Sequence, residues 1–422
     1  MEHPASQKLY AWREERGTRP APERADIVRE GRRVLRVTML GMRGFPNVQG
    51  GVEKHTEKLA CALAELGCQV EAIARSYCVE KNRSATWRDI TIIRIWAPHI
   101  RGLEAFVHTF LGVVRAAFRR PDILHIHAIG PAVFTPLARA LGLQVVVTYH
   151  SLNYEHKKWG RFARAVLRLG EWAGMTFANG RIAVSEGLAK QMGRTYQVTV
   201  SAIPNGIDPP LRVRSTAFLE ACGLAANRYV LTVARIDETK RQLDLISAYA
   251  RLRDPTWKLA LVGDADHSSS YARAVAEATR KTPGVVMLGH QTGENLAELY
   301  THARLFVLPS SHEGQPIAVL EAASFGLPVI LSDIPAHREI ALARARYFKV
   351  GDIASLTEHL ASMFAAPVIE RFDADERARL AARHDWHQIA QRTLAVYFDA
   401  LSGTKSGGLA DAPSARKMRE LS

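Results

Sequence analysis

Apolar residues in this chain gather in short runs with few polar interruptions. Residues 34–41 (VLRVTMLG), 70–74, 90–95, 123–126 and 144–148 are predominantly apolar. That pattern suits strands buried on both faces, as in a parallel sheet covered by helices. Stretches of helical spacing separate them, including 52–66, closed by Gly67, and 103–120 (LEAFVHTFLGVVRAAFRR). The alternation predicts an α/β protein with a doubly wound parallel sheet. A segment dense in turn residues, Ile203-Pro204-Asn205-Gly206-Ile207-Asp208, interrupts it and reads as a hinge. The alternation then restarts, with strands predicted at 229–234, 258–262, 285–288, 305–308 and 329–331. Two similar halves imply two lobes with a cleft, and ligands of such sheets bind at the carboxyl ends of the strands. The predicted organisation is a polar arm at 1–33, a first lobe at 34–203, a second at 204–385, an amphipathic helix at 386–402 and a disordered tail at 403–422.

Composition narrows the class. With 422 residues, 47% of them hydrophobic, the chain can build substantial cores. Residues 1–33 lack an apolar core segment and do not read as a signal peptide, and no apolar run is long enough for an ordinary membrane span. Cys61, Cys68, Cys78 and Cys222 lack metal-ligand spacing, so reduced thiols in a cytosolic protein are expected. The formal charge of +14 could mark a nucleic-acid binder. No helix-turn-helix, zinc-finger or RNA-binding signature accompanies it, so no nucleic-acid partner is expected. The basic residues of 103–120 and 153–168 are interleaved with large apolar side chains. They fit either core helices with a solvated basic face or attachment to an anionic membrane surface.

Candidate chemistry lies in the loops. Residues 42–51 (MRGFPNVQGG) join the first strand to the first helix, but no GxGxxG occurs, and strand 70–74 ends in Arg75-Ser76 without an acidic residue for a ribose. A dehydrogenase is disfavoured. In the second half Arg235 leaves a strand and Lys240 opens the next helix, where a guanidinium fork and an ammonium could stabilise a diphosphate. Glu313 and Glu321, eight apart, would lie about 80° out of line on one continuous helix. The stretch instead reads as a strand, an exit loop at 309–315 carrying Glu313, and a helix with Pro316 at its first position carrying Glu321. Gly314 would let a ligand approach the backbone. Carboxylates accepting sugar hydroxyls beside an anion-binding helix terminus describe a nucleotide-sugar site. His125, His127 and His150 gather at strand ends without acidic or cysteine partners, so no metal is expected and His127 reads as structural.

Glu313-x7-Glu321, followed by Ala322, Gly326-x-Pro328-Val329 and Glu339, resembles the signature of retaining GT-B glycosyltransferases of family four. The resemblance covers roughly 34–401. It implies the GT-B fold, two Rossmann-like domains facing across a cleft, with the final helix crossing back onto the first. It places Gly50-Gly51 at the donor phosphate and acceptor, and His150 beside the donor sugar. Arg235 and Lys240 fit its Arg-x4-Lys at the diphosphate. Glu313 would orient the sugar, Glu321 would grip the ribose, and Gly314 and Gln315 belong to the donor loop. Three departures stand out: Ala234 and Arg241 where glycine is common, and Gln315-Pro316 for Phe-Gly. The implied activity is retaining transfer of a hexose from a nucleotide diphosphate donor, a UDP-sugar ahead of a GDP-sugar, to an acceptor hydroxyl. A lipid-linked saccharide of cell-surface polysaccharide synthesis is the expected acceptor, with no cofactor, on the inner face of the cell membrane. Two alternatives stay open. An epimerase of the same fold would consume donor without acceptor, and a non-catalytic nucleotide-sugar-binding module would release no nucleoside diphosphate.

Overall fold

The computed structural model describes residues 34–79, 84–100, 102–151, 160–265, 269–366 and 371–403. The arm at 1–33, the tail beyond Gly403 and the basic pair Lys157 and Lys158 lie outside the described residues.

The first sheet contains β1 (Arg36–Leu40), β2 (Gln69–Arg75), β3 (Thr86–Trp87), β4 (Ile90–Ile95), β5 (Ile123–His127), β6 (Val145–Tyr149), β7 (Gly180–Ala183) and β8 (Ser201–Ala202). Their order is β3-β4-β2-β1-β5-β6-β7-β8, parallel except where β3 runs against β4. The second sheet contains β9 (Tyr229–Val233), β10 (Lys258–Val262), β11 (Val285–Met287), β12 (Leu305–Leu308), β13 (Val329–Ser332) and β14 (Arg346–Phe348), in the order β11-β10-β9-β12-β13-β14. Strand order reverses between β1 and β5 and between β9 and β12, which opens a crevice at each of those carboxyl edges. The pattern of apolar runs missed β3, β8 and β14, which are only two or three residues long and carry no apolar run.

Helices cover both faces of each sheet. Beneath the first sheet, Leu59 and Leu63 of the Gly51–Glu65 helix join Ile389, Leu394 and Tyr397 of the terminal Trp386–Ser402 helix in one core. Val113 and Ala116 of the Leu103–Arg119 helix seal the opposite face. The terminal helix therefore belongs in space to the first lobe although it follows the second in sequence. A Cβ at Gly180 would lie 2.8 Å from Val396 Cγ1, so the helix rests directly on β7. In the second lobe, Leu245 of the Gln242–Leu252 helix and Leu356 of the Ile353–Ala365 helix fill one face, and the Gly293–His302 and Ile317–Ser324 helices fill the other.

Histidines are built into the first core as neutral groups. His125 Nδ1 pairs with the Tyr397 hydroxyl and Nε2 with Thr148 Oγ1, both at 2.7 Å. Burial pushes His125 down to about 3 and His55 to about 4. The unfolded chain takes up protons near the ordinary value of about 6.5, whereas the folded one resists. Stability is thus full above about 6.5 and is lost as pH falls toward 4. Urea midpoints should fall between pH 7 and pH 5, before carboxylates titrate; a flat midpoint over that window would contradict this origin.

Candidate active site

Lys240 reaches the second-lobe crevice through a turn, not a helix. Asp237 caps the short Glu238–Lys240 turn, accepting from Thr239 N at 3.1 Å and Thr239 Oγ1 at 2.7 Å. The next helix runs from Gln242 to Leu252, so Lys240 lies in the turn just before it. Arg241 between them has φ of 52°, a left-handed conformation that would suit the glycine expected there from the resemblance. A residue with a Cβ adopts it at a cost of about 1–2 kcal/mol, and Arg241 Nε bonds Asp244 Oδ2 at 2.6 Å. Arg235 leaves β9 half-buried, its carbonyl taking Gln242 Nε2 at 2.8 Å.

The loop after β12 is tied to that turn, since Ser311 N donates to Thr239 O at 2.8 Å. Lys240 Nζ consequently sits 2.6 Å from Glu313 Oε1, with side chains only 18% and 8% exposed. Burial alone would raise the Glu313 carboxyl, but the Lys240 ammonium, the His337 ring and hydrogen bonds from Lys240 and Ser310 hold it below the ordinary carboxylate value. Each charge is the condition for burying the other. Losing one partner of such a dry pair typically costs about 3–5 kcal/mol.

Glu321 lies one turn into the Ile317–Ser324 helix, for which Pro316 is the N-cap and not the first helical residue. Its Oε2 accepts from the Tyr300 hydroxyl at 3.2 Å, and Tyr300 is fixed by stacking on Phe325 with ring centres 5.2 Å apart. Its Oε1 meets Lys54 Nζ of the first lobe. Because this helix follows β12, its N-terminal end lies at the carboxyl edge of the second sheet, where a helix terminus favours anions.

From the first lobe comes the loop ending in Gly50-Gly51. Gly50 has φ of 146°, and a Cβ there would stand 1.9 Å from Glu53 Oε2. Glu53 is buried and accepts from Arg43 Nε at 2.9 Å, while Arg43 also donates to the Gln49 carbonyl. This pair shapes the loop, and the sequence reading missed it; an acidic residue three positions after Gly50 was the available signal. Gly51 is exposed, and a Cβ on it would meet nothing within 4 Å. Gln49 crosses the cleft, donating to Asp264 O at 3.2 Å and accepting from Asp264 N at 3.1 Å.

Other predicted positions serve the contact between lobes. A Cβ on Gly314 would come 1.6 Å from the His150 carbonyl, so the backbone that approaches it is that of the opposite lobe. Gln315 turns from the crevice to the hinge: its Oε1 accepts from Asn205 N at 2.5 Å and its carbonyl from Asn205 Nδ2 at 2.8 Å. Asn205 Oδ1 faces His55 Nδ1 at 2.8 Å, and the Asn205 carbonyl faces His384 Nδ1 at 2.6 Å. Glu339 caps the first-lobe Glu186–Tyr196 helix, accepting from Gly187 N at 3.0 Å and from Glu186 N.

His127 Nδ1 and His150 Nε2 lie 3.3 Å apart, and the His55 ring meets His150 edge-on at 4.8 Å. One ring nitrogen each of His55, His127 and His150 falls within 4.8 Å of the other two, the geometry among the described residues nearest to a metal-ligand set. Burial holds all three below the ordinary histidine value, hence neutral. His150 is the member that borders the Glu313 loop, through its contact with Gly314.

Comparison with known proteins agrees with this geometry. Residues 49–210 match the family model Glycosyltransferase Family 4, and residues 224–383 match Glycosyl transferases group 1. The alpha-maltose-1-phosphate synthase of Mycobacterium tuberculosis is 27% identical over 392 residues, covering 86% of this chain and 99% of that protein. A GDP-mannose:cellobiosyl-diphosphopolyprenol alpha-mannosyltransferase of Xanthomonas campestris is 28% identical over 302 residues, 68% of this chain and 77% of its own. Sucrose-phosphate synthase from Thermosynechococcus elongatus superposes with a TM-score of 0.75 at 21% identity, over 87% of this chain and all of that one. The first matched segment holds every strand of the first sheet except β1, and the second holds the whole second sheet; the chain is a family-four-like glycosyltransferase of the GT-B fold.

Proposed function

We propose that this glycosyltransferase moves a hexose, with retention, from a nucleotide diphosphate donor to a lipid-linked saccharide at an anionic membrane surface. A UDP-sugar is the favoured donor and a GDP-sugar the second choice. The chemistry follows from charge. As the glycosidic bond breaks, the diphosphate gathers negative charge, and Arg235, Lys240 and the N-terminal end of the Ile317–Ser324 helix would neutralise it. Glu313, fixed by Lys240, orients the sugar hydroxyls, and Glu321 takes the ribose. His150 approaches the sugar from the first lobe, and no metal or cofactor takes part.

The observation that carries the acceptor reading is an apolar face with a basic rim on the first lobe. Phe106 and Phe110 of the Leu103–Arg119 helix pack on Phe134 with ring centres 4.7 and 5.9 Å apart, yet remain 48% and 42% exposed. The turn holding Phe134 also supports the Arg161–Phe177 helix, which presents Leu169 and Trp172 to solvent beside Arg161, Arg164 and Arg168. Trp96 is 62% exposed and Phe118 86%. Large apolar side chains interleaved with arginines suit the boundary between headgroups and acyl chains better than water. Both helices begin at the carboxyl edge of the first sheet, beside the cleft, so a lipid diphosphate lying in the membrane would be presented to the site. The Xanthomonas campestris relative named for a diphosphopolyprenol acceptor supports this reading. No helix among the described residues is long and apolar enough to cross a membrane.

Three outcomes are expected. Glu313→Ala should lower kcat by two or more orders of magnitude while donor affinity changes far less, as for a contact that strengthens in the transition state; parallel losses would move Glu313 to plain binding. Arg235→Ala and Lys240→Ala should each weaken nucleoside diphosphate binding and rate by about 2–4 kcal/mol, and unchanged diphosphate affinity by calorimetry would relocate the site. The protein should co-sediment with anionic vesicles more than with neutral ones. Replacing Arg161, Arg164 and Arg168 by Gln together with Phe106 and Phe110 by Ser should abolish that binding and transfer to a lipid acceptor, with donor binding intact. Full vesicle affinity in that variant, or preference for a water-soluble glucan or sugar phosphate, would overturn the acceptor assignment.

A further inference from the structure

Glu321 holds partners from opposite lobes. Tyr300, buried in the second lobe, anchors one oxygen, and Lys54 of the first lobe holds the other. Lys54 sits on the Gly51–Glu65 helix, one turn past the Gly50-Gly51 loop, so its ammonium enters the cleft beside the place proposed for the donor phosphate. Burial works against its charge, but Glu321, then Asp208 and Glu57, keep it protonated.

The two carboxylates of the site are therefore held differently. Glu313 and Lys240 come from one lobe and are nearly dry, with 8% and 18% exposure. Glu321 and Lys54 come from different lobes and are wetter, at 17% and 35%. A partly hydrated pair is worth little and exchanges readily, whereas a dry one does not. The weaker pair also bridges the gap that any ligand of Glu321 must enter. Gln49–Asp264 contacts and the Gly314–His150 packing flank it, so the lobes already meet without a donor.

We propose that Lys54 is a further donor-site residue that changes partners. In the empty enzyme its ammonium neutralises Glu321 and draws the lobes together; when ribose hydroxyls take Glu321, the ammonium passes to the donor diphosphate. It thereby supplies from the acceptor lobe a third cation opposite Arg235 and Lys240, and couples donor loading to lobe position. This inference rests on the assignment of Glu321 to the ribose.

The test uses the full chain with Lys54→Met, Lys54→Arg, Glu321→Gln and the Lys54→Met/Glu321→Gln double variant. Calorimetry with uridine and guanosine, and separately with UDP and GDP, separates ribose from phosphate recognition. Lys54→Met should bind the nucleoside about three- to fivefold more tightly, the worth of a part-exposed pair. Its gain in affinity from nucleoside to diphosphate should be smaller than that of the wild type. In the Glu321→Gln background, removing Lys54 should bring no gain for the nucleoside, and Lys54→Arg should behave like the wild type. Small-angle scattering should show a larger radius of gyration for empty Lys54→Met than for empty wild type. Unchanged or weaker nucleoside binding in Lys54→Met, or an unchanged radius, would overturn the proposal. If the wild type bound neither nucleosides nor diphosphates, the donor assignment itself would fail, while scattering would still report whether the pair holds the lobes.

Discussion

One buried amide constrains everything around the cleft. Asn205 lies in the hinge with 4% of its surface exposed, and a polar group so placed must find partners inside the protein. Its backbone N–H and side-chain NH2 go to Gln315, its side-chain oxygen to His55, and its carbonyl to His384. Those partners belong to the Glu313 loop, the first helix of the first lobe and the segment leading to the terminal helix. Meeting the hydrogen-bonding demand of one residue thus registers three distant pieces of chain to each other. The Glu313 loop and His150 meet because the hinge between them is saturated.

With that frame fixed, the site divides its labour between the lobes. The second lobe holds a dry pair whose members stabilise each other, so Glu313 stays ionised and pointed without needing ligand. The first lobe contributes neutral imidazoles, a glycine whose conformation is set by Glu53 and Arg43, and the Lys54 ammonium that meets Glu321. In the proposed reaction, cations from both lobes would face the diphosphate as it gathers charge, with neutral imidazoles beside the sugar. Preorganised charges of this kind act without reorganising at the moment of reaction.

Much of this architecture is legible along the chain, and the reason is physical. Strands covered on both faces leave continuous apolar runs, so β1, β5, β9 and β12 announce themselves. Strands at the edges need only half as much cover; β3, β8 and β14 are short and leave no such mark. Glu313 and Glu321 can be read because a strand, a loop and a helix fix their relation within sixteen residues or so. Lys54 with Glu321, Asn205 with Gln315 and Glu339 with Glu186 connect positions more than a hundred residues apart, and no local periodicity encodes them. Arg241 shows a third situation: a left-handed position suggests glycine, and an arginine that finds Asp244 tolerates it.

The return of the terminal helix to the first lobe has a consequence for synthesis. The first sheet is complete in sequence at Ala202, but Val396, which covers β7, and the Tyr397 hydroxyl that satisfies His125 arrive only with residues 386–402. Roughly 180 residues must be translated in between, which at ribosomal speeds takes on the order of ten to forty seconds. During that interval the nascent first half carries an uncovered apolar flank and a buried histidine short of a partner. Closure of the first core therefore waits on the Trp386–Ser402 helix, which covers it from the far side of the second lobe in sequence.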